Sequence, residues 1–373
     1  MMEKRTVTDA NDGKGYDIHC LAISAVTVNF NGGERTIMCI RALINQSFPL
    51  HKIIVVDNGS TDGSIDHIRF LFPQVEIIEL GANKGISVAR NIGLKHAETE
   101  LVLLIDYDLY VSEDSIIKMA QTYKNFQTTL VCPRIIIFPG CESIQCDGAA
   151  LHFTGTLMLR HAYQPVADIA EEVISVRASI SACMLLDREK ALDSGGFEEI
   201  IFFYFEDLEF SYRLGSLGHS IVCDSRAIVY HDRGDGTPGL SYRGKGIYPA
   251  RRAYLIMRHR WLTILMHYRL RTIIVLFPAL AIYELACFVL VMQRGWIPQW
   301  YRAWRWQIDN LSIIRQKRRQ IEQGRAFADR DLLEGGPLLF SLGFIRSGIA
   351  NFAVKALSQI LNLYWRFAQR WIA

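Results

Sequence analysis

Two aspartates two positions apart, Asp106 and Asp108, directly follow the apolar run Leu101–Ile105. Paired carboxylates at a strand end can share a hard divalent cation with diphosphate oxygens, because Mg2+ and Mn2+ favour oxygen ligands and keep positions open for phosphate. Such an ion offsets the charge that builds up on a departing diphosphate. The bland alternative is a solvated turn. Asp57 opens a second polar cluster, Asp57-Asn-Gly-Ser-Thr-Asp62, after Ile53–Val56. It can accept hydrogen bonds from a base N–H or from ribose hydroxyls, whereas Asp62 suits capping of the next helix. Asn83-Lys84-Gly85 precedes a helical stretch with Arg90 and Asn91. A helix N-terminus beside a lysine attracts an anion, and ordinary capping explains it equally well. Glu206 and Asp207 follow the aromatic run Phe202–Phe205. Partial desolvation raises a carboxylate pKa toward the range of a general base, so Asp207 can take a proton from an attacking hydroxyl. The alternative there is an acidic helix start with Glu209 and Arg213 paired at i,i+4. His231 follows the apolar run Ala227–Tyr230. A lone histidine there is structural or serves a metal or phosphate.

These residues need elements to hold them. The pattern predicts strands over 23–30, 53–56, 75–80 and 101–105, with helices over about 34–45, from near Gly63, and over 85–97. Alternating strands and helices imply right-handed βαβ units and a mostly parallel sheet, in which ligands bind beyond the strands' carboxyl ends. Both polar clusters fall at such ends. The composition fits a folded enzyme-sized chain: 373 residues, half of them apolar, with a formal net charge of +3. That charge is too near neutral to argue for nucleic acid as a partner. None of the eight cysteines forms a CxxC pair or a zinc-ligand spacing, which favours reduced thiols in a cytosolic compartment.

In order, the segments TVNFNGGE, VVDNGSTDGS, NKGISVARNIGL, LIDYD, SGGFEE, FFYFEDLEF and YHDRG resemble the family 2 inverting glycosyltransferases, over roughly residues 20–235. The closest flavour is the rhamnosyltransferase-like branch that makes surface polysaccharides. The resemblance implies an α/β fold of the GT-A type, a Rossmann-like mixed sheet. It implies transfer of a hexose or deoxyhexose from a nucleotide-diphosphate donor to a hydroxyl, with inversion at the anomeric carbon and Mg2+ or Mn2+ as cofactor. By residue, it implies that Asn29, Asp57, Asn83, Lys84, Arg90, Asp106 and Glu206 bind the nucleotide sugar. Asp108, Asp106 and His231 would hold the metal, and Asp207 would be the base. No QxxRW motif follows the base, which argues against a processive polymerase.

The last third differs. Residues 272–293 are almost wholly apolar and long enough to cross a bilayer, yet six Lys/Arg lie in 251–271 and nine in 294–330. Basic flanks on both sides fit a single crossing poorly. Glu284 would be costly at bilayer depth, and Pro278 can kink the segment. Trp296, Trp300, Trp304 and Trp306 suggest an interfacial belt. The tail, with Phe340, Leu342, Ile345, Ile349, Phe352 and Leu357 beside Arg346 and Lys355, reads as amphipathic. The expected layout is a polar leader (1–18), a catalytic domain (19–250) and a helical membrane-associating region (251–373). That region would attach in a peripheral, monotopic or re-entrant way, through 272–293, to the cytoplasmic face of the membrane. A buried helical subdomain or a homo-oligomer interface is the alternative. A membrane location suits a lipid-linked glycan acceptor. Two other functions stay open: transfer to polyprenyl phosphate, and a non-catalytic membrane-associated protein that binds sugar nucleotides.

Overall fold

The computed structural model describes residues 18–234, 240–242, 247–338 and 347–372. The expected leader lies outside them except for Ile18, and so do Phe340, Leu342, Ile345 and Arg346 of the expected amphipathic tail. The chain divides into two compact units. The first ends at Asp232. The second takes Arg233–Ala373 and two short segments, Ala150–Met158 and Gly215–Gly218, so the division falls before the expected 250/251 boundary.

The first unit begins with alternating elements: β1 (Ile23–Asn29), α1 (Gly33–Ile44), β2 (Lys52–Asp57), α2 (Ser64–Leu71), β3 (Glu76–Glu79), α3 (Ile86–His96) and β4 (Leu101–Asp106). Their bounds match the apolar periodicity to within one or two residues. Next in the chain come β5 (Leu109–Val111), α4 (Ser115–Phe126), β6 (Leu130–Phe138), β7 (Ile144–Cys146), then β8 (Ala149–His152) and β9 (Thr156–Leu159), which belong mainly to the second unit, and β10 (Val173–Val176), β11 (Cys183–Asp187), α5 (Arg188–Asp193), α6 (Glu206–Ser216) and β12 (Ile221–Asp232). The main sheet runs β10-β12-β6-β11-β4-β1-β2-β3, with β5 on β12 and β7 on β6. The pairs among β3, β2, β1 and β4 are parallel, and β11 is antiparallel to both β4 and β6. The sheet is therefore mixed.

Strand side chains alternate between faces, so both faces of β1 must be apolar if both are covered. Ile23 and Ala25 enter one core with Ile37, Ile40 and Met119, while Val26 and Val28 enter the other with Ala89, Leu94 and Phe210. Register then fixes where the strands end. Asn29 pairs with Asp57, and Val28 with Asp106, so three polar strand ends reach one edge of the sheet together.

The second unit is mainly helical: α7 (Ala250–His267), α8 (Leu270–Gln293), α9 (Ile297–Asp309), α10 (Leu311–Gln323), α11 (Asp329–Leu332) and α12 (Gly348–Ala368), with β13 (Leu333–Glu334) between α11 and α12. β13 pairs with β8 through Leu333–Leu151 and Glu334–His152. Among the described residues α8 alone is long and apolar enough to cross a membrane, and only 22% of its most apolar window is buried. The four tryptophans of the expected belt are partly exposed and also pack on neighbouring side chains. Trp300 packs on Phe288 and Trp304 on Trp261, each about 5 Å between ring centres, and Arg258 stacks 4.0 Å over Trp306.

Candidate active site

The site is built on the β1, β2 and β4 ends, and a buried arginine ties them to the chain beyond. Arg90 on α3 donates to Asp106 Oδ1 (2.6 Å), to Ser181 Oγ (2.6 Å) and carbonyl (2.9 Å), and to Glu206 Oε1 (3.3 Å). Ser181 Oγ also donates to Glu206 Oε1 (3.2 Å). Arg90 is thus an organiser that fixes Asp106 and Glu206, with 4% of its side chain exposed. Burial pushes Asp106 up to about 6 against the pull of Arg90, and the neighbouring Asp108 charge pushes the same way. The second Glu206 oxygen, Oε2, is buried without a hydrogen-bond partner. An incoming hydroxyl would satisfy it.

Asp57 and Asn29 are occupied by the fold itself. Asn29 Nδ2 lies within hydrogen-bonding distance of Asp57 Oδ1 (3.1 Å), Ser60 Oγ (2.9 Å) and Ser64 Oγ (2.9 Å), and its Oδ1 accepts from Thr36 (2.7 Å). The other Asp57 oxygen accepts from the Gly59 and Ser60 amides (3.2 and 3.0 Å). Both side chains therefore brace the loop. Gly63, not Asp62, is the N-cap of α2, which has no side-chain cap; Asp62, one residue earlier, accepts from the Ser64 amide (3.1 Å). The loop then clasps the entry to α3: Asn58 Oδ1 accepts from the Lys84 amide (2.8 Å), and Asn83 Oδ1 accepts from Asn58 Nδ2 (3.2 Å) and the Gly85 amide (3.0 Å). Gly59 sits at φ +83°, where an added Cβ would meet the Ala82 backbone at 2.7 Å. The Lys84 side chain is exposed at this edge.

Asp108 and His231 adjoin, with His231 Nε2 3.4 Å from Asp108 Oδ2. His231 Nδ1 is buried without a hydrogen-bond partner. Antiparallel β5 makes this approach by pairing Leu109 with His231. Asp106, the third expected metal ligand, is turned toward Arg90 instead. Among the described residues no group of three His, Cys, Asp or Glu side chains has metal-holding geometry. The Asp108 carboxylate, completed by phosphate oxygens and water, fits the habit of Mg2+, whereas the His231 imidazole suits a softer ion.

Asp207 lies in the first turn of α6. Burial, then the Glu206 charge, push it up to about 7. Tyr204 and Phe205 hold the left-handed conformation at φ +67° and +73°, so the chain is strained just before the acidic pair. The Phe202 carbonyl accepts from the Ile86 amide (2.9 Å), which docks the aromatic run on α3. Asn91 grips the SGGFEE loop through the Phe197 amide and carbonyl (2.7 and 2.8 Å), and Glu209 pairs with Arg213 (2.9 Å) as the helical spacing suggests. Sequence reasoning missed Ser181, and it missed Arg35 and Tyr110, which hold Asp232 beside His231 (3.2 and 3.1 Å). No spacing signal joins Ser181 to Arg90, 91 positions away.

Residues 24–145 match the model for glycosyl transferase family 2. Over that stretch the chain is thus similar to the family 2 glycosyltransferases. It is similar to the low-salt glycan biosynthesis hexosyltransferase Agl10 of Haloferax volcanii, 26% identical over 207 residues, which is 51% of this chain and 61% of that protein. It is also similar to the uncharacterized glycosyltransferase YibD of Escherichia coli, 33% identical over 89 residues, 23% of this chain and 26% of that one. The chain therefore spans less than two thirds of these relatives. Among solved structures it resembles GalNAc-T7 with UDP, GalNAc and Mn2+ (TM-score 0.54, 17% identity, 66% of this chain and 48% of that one). It also resembles S. aureus TarS 1-349 in complex with UDP-GlcNAc (TM-score 0.52, 17% identity, 94% and 93%). The chain has the GT-A fold of these neighbours, followed by a helical region.

Proposed function

We propose that the chain is an inverting glycosyltransferase that moves a hexose or deoxyhexose from a nucleoside diphosphate to a hydroxyl of a lipid-linked glycan, at the cytoplasmic face of a membrane, in surface polysaccharide synthesis. One observation carries this reading: Arg90 joins the Asp106 strand end to Glu206, whose neighbour Asp207 has the raised pKa of a base. The fold neighbours holding UDP or UDP-GlcNAc, and the hexosyltransferase relative, support a nucleotide-sugar donor. The rhamnosyltransferase-like motifs favour the polysaccharide setting.

Asp108 and His231, with Asp106 behind them, would hold a divalent cation. When bound, it offsets the charge on the leaving nucleoside diphosphate. The Asp57 loop and the α3 entry around Asn83 and Lys84 would seat the nucleotide, with Asn29 fixing the loop. Glu206 Oε2 would accept from a donor hydroxyl. Asp207 takes the acceptor proton as the acceptor oxygen bonds to the anomeric carbon and the bond to phosphate breaks, its electron pair leaving with the diphosphate. One displacement of this kind inverts the anomeric centre.

The test is a panel of nucleotide sugars incubated with Mn2+ or Mg2+ and read by mass spectrometry for donor hydrolysis or transfer. Activity should vanish with chelator and with Asp108→Ala. Turnover that survives both sinks the metal-dependent reading.

A further inference from the structure

We infer that α8 and α12 together form a monotopic platform that lies in the plane of an anionic lipid surface and does not cross it. This builds on the membrane reading above but is independent of the sugar chemistry. One side of α8 is open along its whole length of about 36 Å: Leu270, Ile274, Phe277, Leu285, Val289 and Met292 are each 41–65% exposed. They recur at helical spacing, so they form one stripe. The opposite side of α8 is packed on protein, with Leu276, Leu280 and Tyr283 buried. α12 has its own stripe, in which Ile349, Phe352, Ile360, Leu363 and Phe367 are 55–84% exposed, and Trp371 extends it. Tyr364 on α12 donates to the Val275 carbonyl of α8 (2.5 Å), which holds the two helices together.

Charge decides the occupant. α12 contains no acidic residue, and the sole acid of α8 is Glu284. Glu284 is turned inward, accepting from Arg260 Nη1 (2.7 Å) and Trp261 Nε1 (2.9 Å). The exposed charges of the two helices are therefore basic, including Arg271, Lys355, Arg366 and, just past α12, Arg370. Apolar stripes bordered by cations and free of exposed carboxylates match anionic headgroups over an acyl layer. A crossing α8 would instead carry the Arg260–Glu284 pair and the basic α7 packed on it toward the middle of the bilayer, at high cost.

The test uses the full chain with preformed vesicles of phosphatidylcholine alone or with 30% phosphatidylglycerol, followed by flotation. The expected result is flotation with the anionic vesicles, weakened by salt, and at least tenfold weaker binding for Leu363→Glu/Phe367→Glu with an unchanged melting temperature. A wild type that stays soluble overturns the inference. So does a dimer seen by light scattering that the double variant splits while vesicle binding persists. For the in-plane placement, Arg271→Cys and Gln293→Cys should both react with an impermeant maleimide from outside sealed vesicles, located by peptide mass. Reaction at one of them only after detergent lysis shows a crossing helix and overturns it. A transfer assay on a soluble acceptor reads the enzymatic reading separately.

Discussion

Asp207 is where environment turns an ordinary carboxylate into a base. Burial and the adjacent Glu206 raise its pKa to about 7, so its charged, proton-accepting form grows as pH rises through that value. The expected kcat/KM profile climbs from pH 6 to 8. Asp207→Asn should lower transfer by about 10²–10⁴-fold while donor binding by calorimetry is retained. Transfer that survives this change points to an acceptor that is already anionic, such as a polyprenyl phosphate. Arg90 acts differently, through position. It neutralises Asp106 and Glu206 at once from a nearly sealed interior. Arg90→Met leaves two carboxylates without their counter-ion, a loss of about 3–5 kcal/mol. Urea unfolding should show it as a lower midpoint, and an unchanged midpoint would mean that the pairs contribute little.

At the scale of elements, the loops after β2 and before α3 behave as one clasp, because the Asn58 side chain accepts from the Lys84 amide and donates to Asn83 across them. Gly59 is the hinge of that clasp. At φ +83°, with the Ala82 backbone against the space of a Cβ, alanine is strained twice over. Gly59→Ala should cost about 1–3 kcal/mol. It should also weaken nucleotide binding by moving the Lys84 edge, as thermal shift with and without nucleoside diphosphate would show. The polar clusters and the Glu209–Arg213 pair were legible in the sequence because their causes are local: a strand end, one helical turn. Asn29 and Asp57 show the limit. Their types suit a ligand, yet the fold spends their hydrogen bonds on Thr36, Ser64 and the Gly59 and Ser60 amides, partners that a linear reading does not rank.

At the scale of the molecule, the helical unit has its own stability term. His152 is buried, stacked on Phe153, which in turn stacks on Trp365 at 4.9 Å. Burial, aided by the Arg260 charge, holds its pKa down at about 4, below the 6.5 of an exposed imidazole. The unfolded chain therefore binds the proton more readily. The resulting stability is fully present above about 6.5 and is lost as pH falls toward 4, by about 2 kcal/mol at pH 5. Urea melts followed by tryptophan emission should show this unit weakening between pH 7 and 5. His152→Gln should flatten the dependence.

The sequence by itself determined the strand–helix alternation, the polar strand ends, the acidic pair after the aromatics and the apolar helix, because each follows from a short-range pattern of residue types. Only the tertiary structure decided which of these groups meet. Parallel register brought Asn29, Asp57 and Asp106 to one edge, and the β5–β12 pairing set His231 against Asp108. Arg90 found Ser181 and Glu206 across 91 and 116 positions. Glu284, which looked costly in an apolar run, turned inward to Arg260, and the tryptophans of α9 packed on their neighbours. The physical reason is common to all of these. A side chain's type is local, but its partners, its burial and hence its charge state are set by distant segments that only the folded chain brings within a few ångströms.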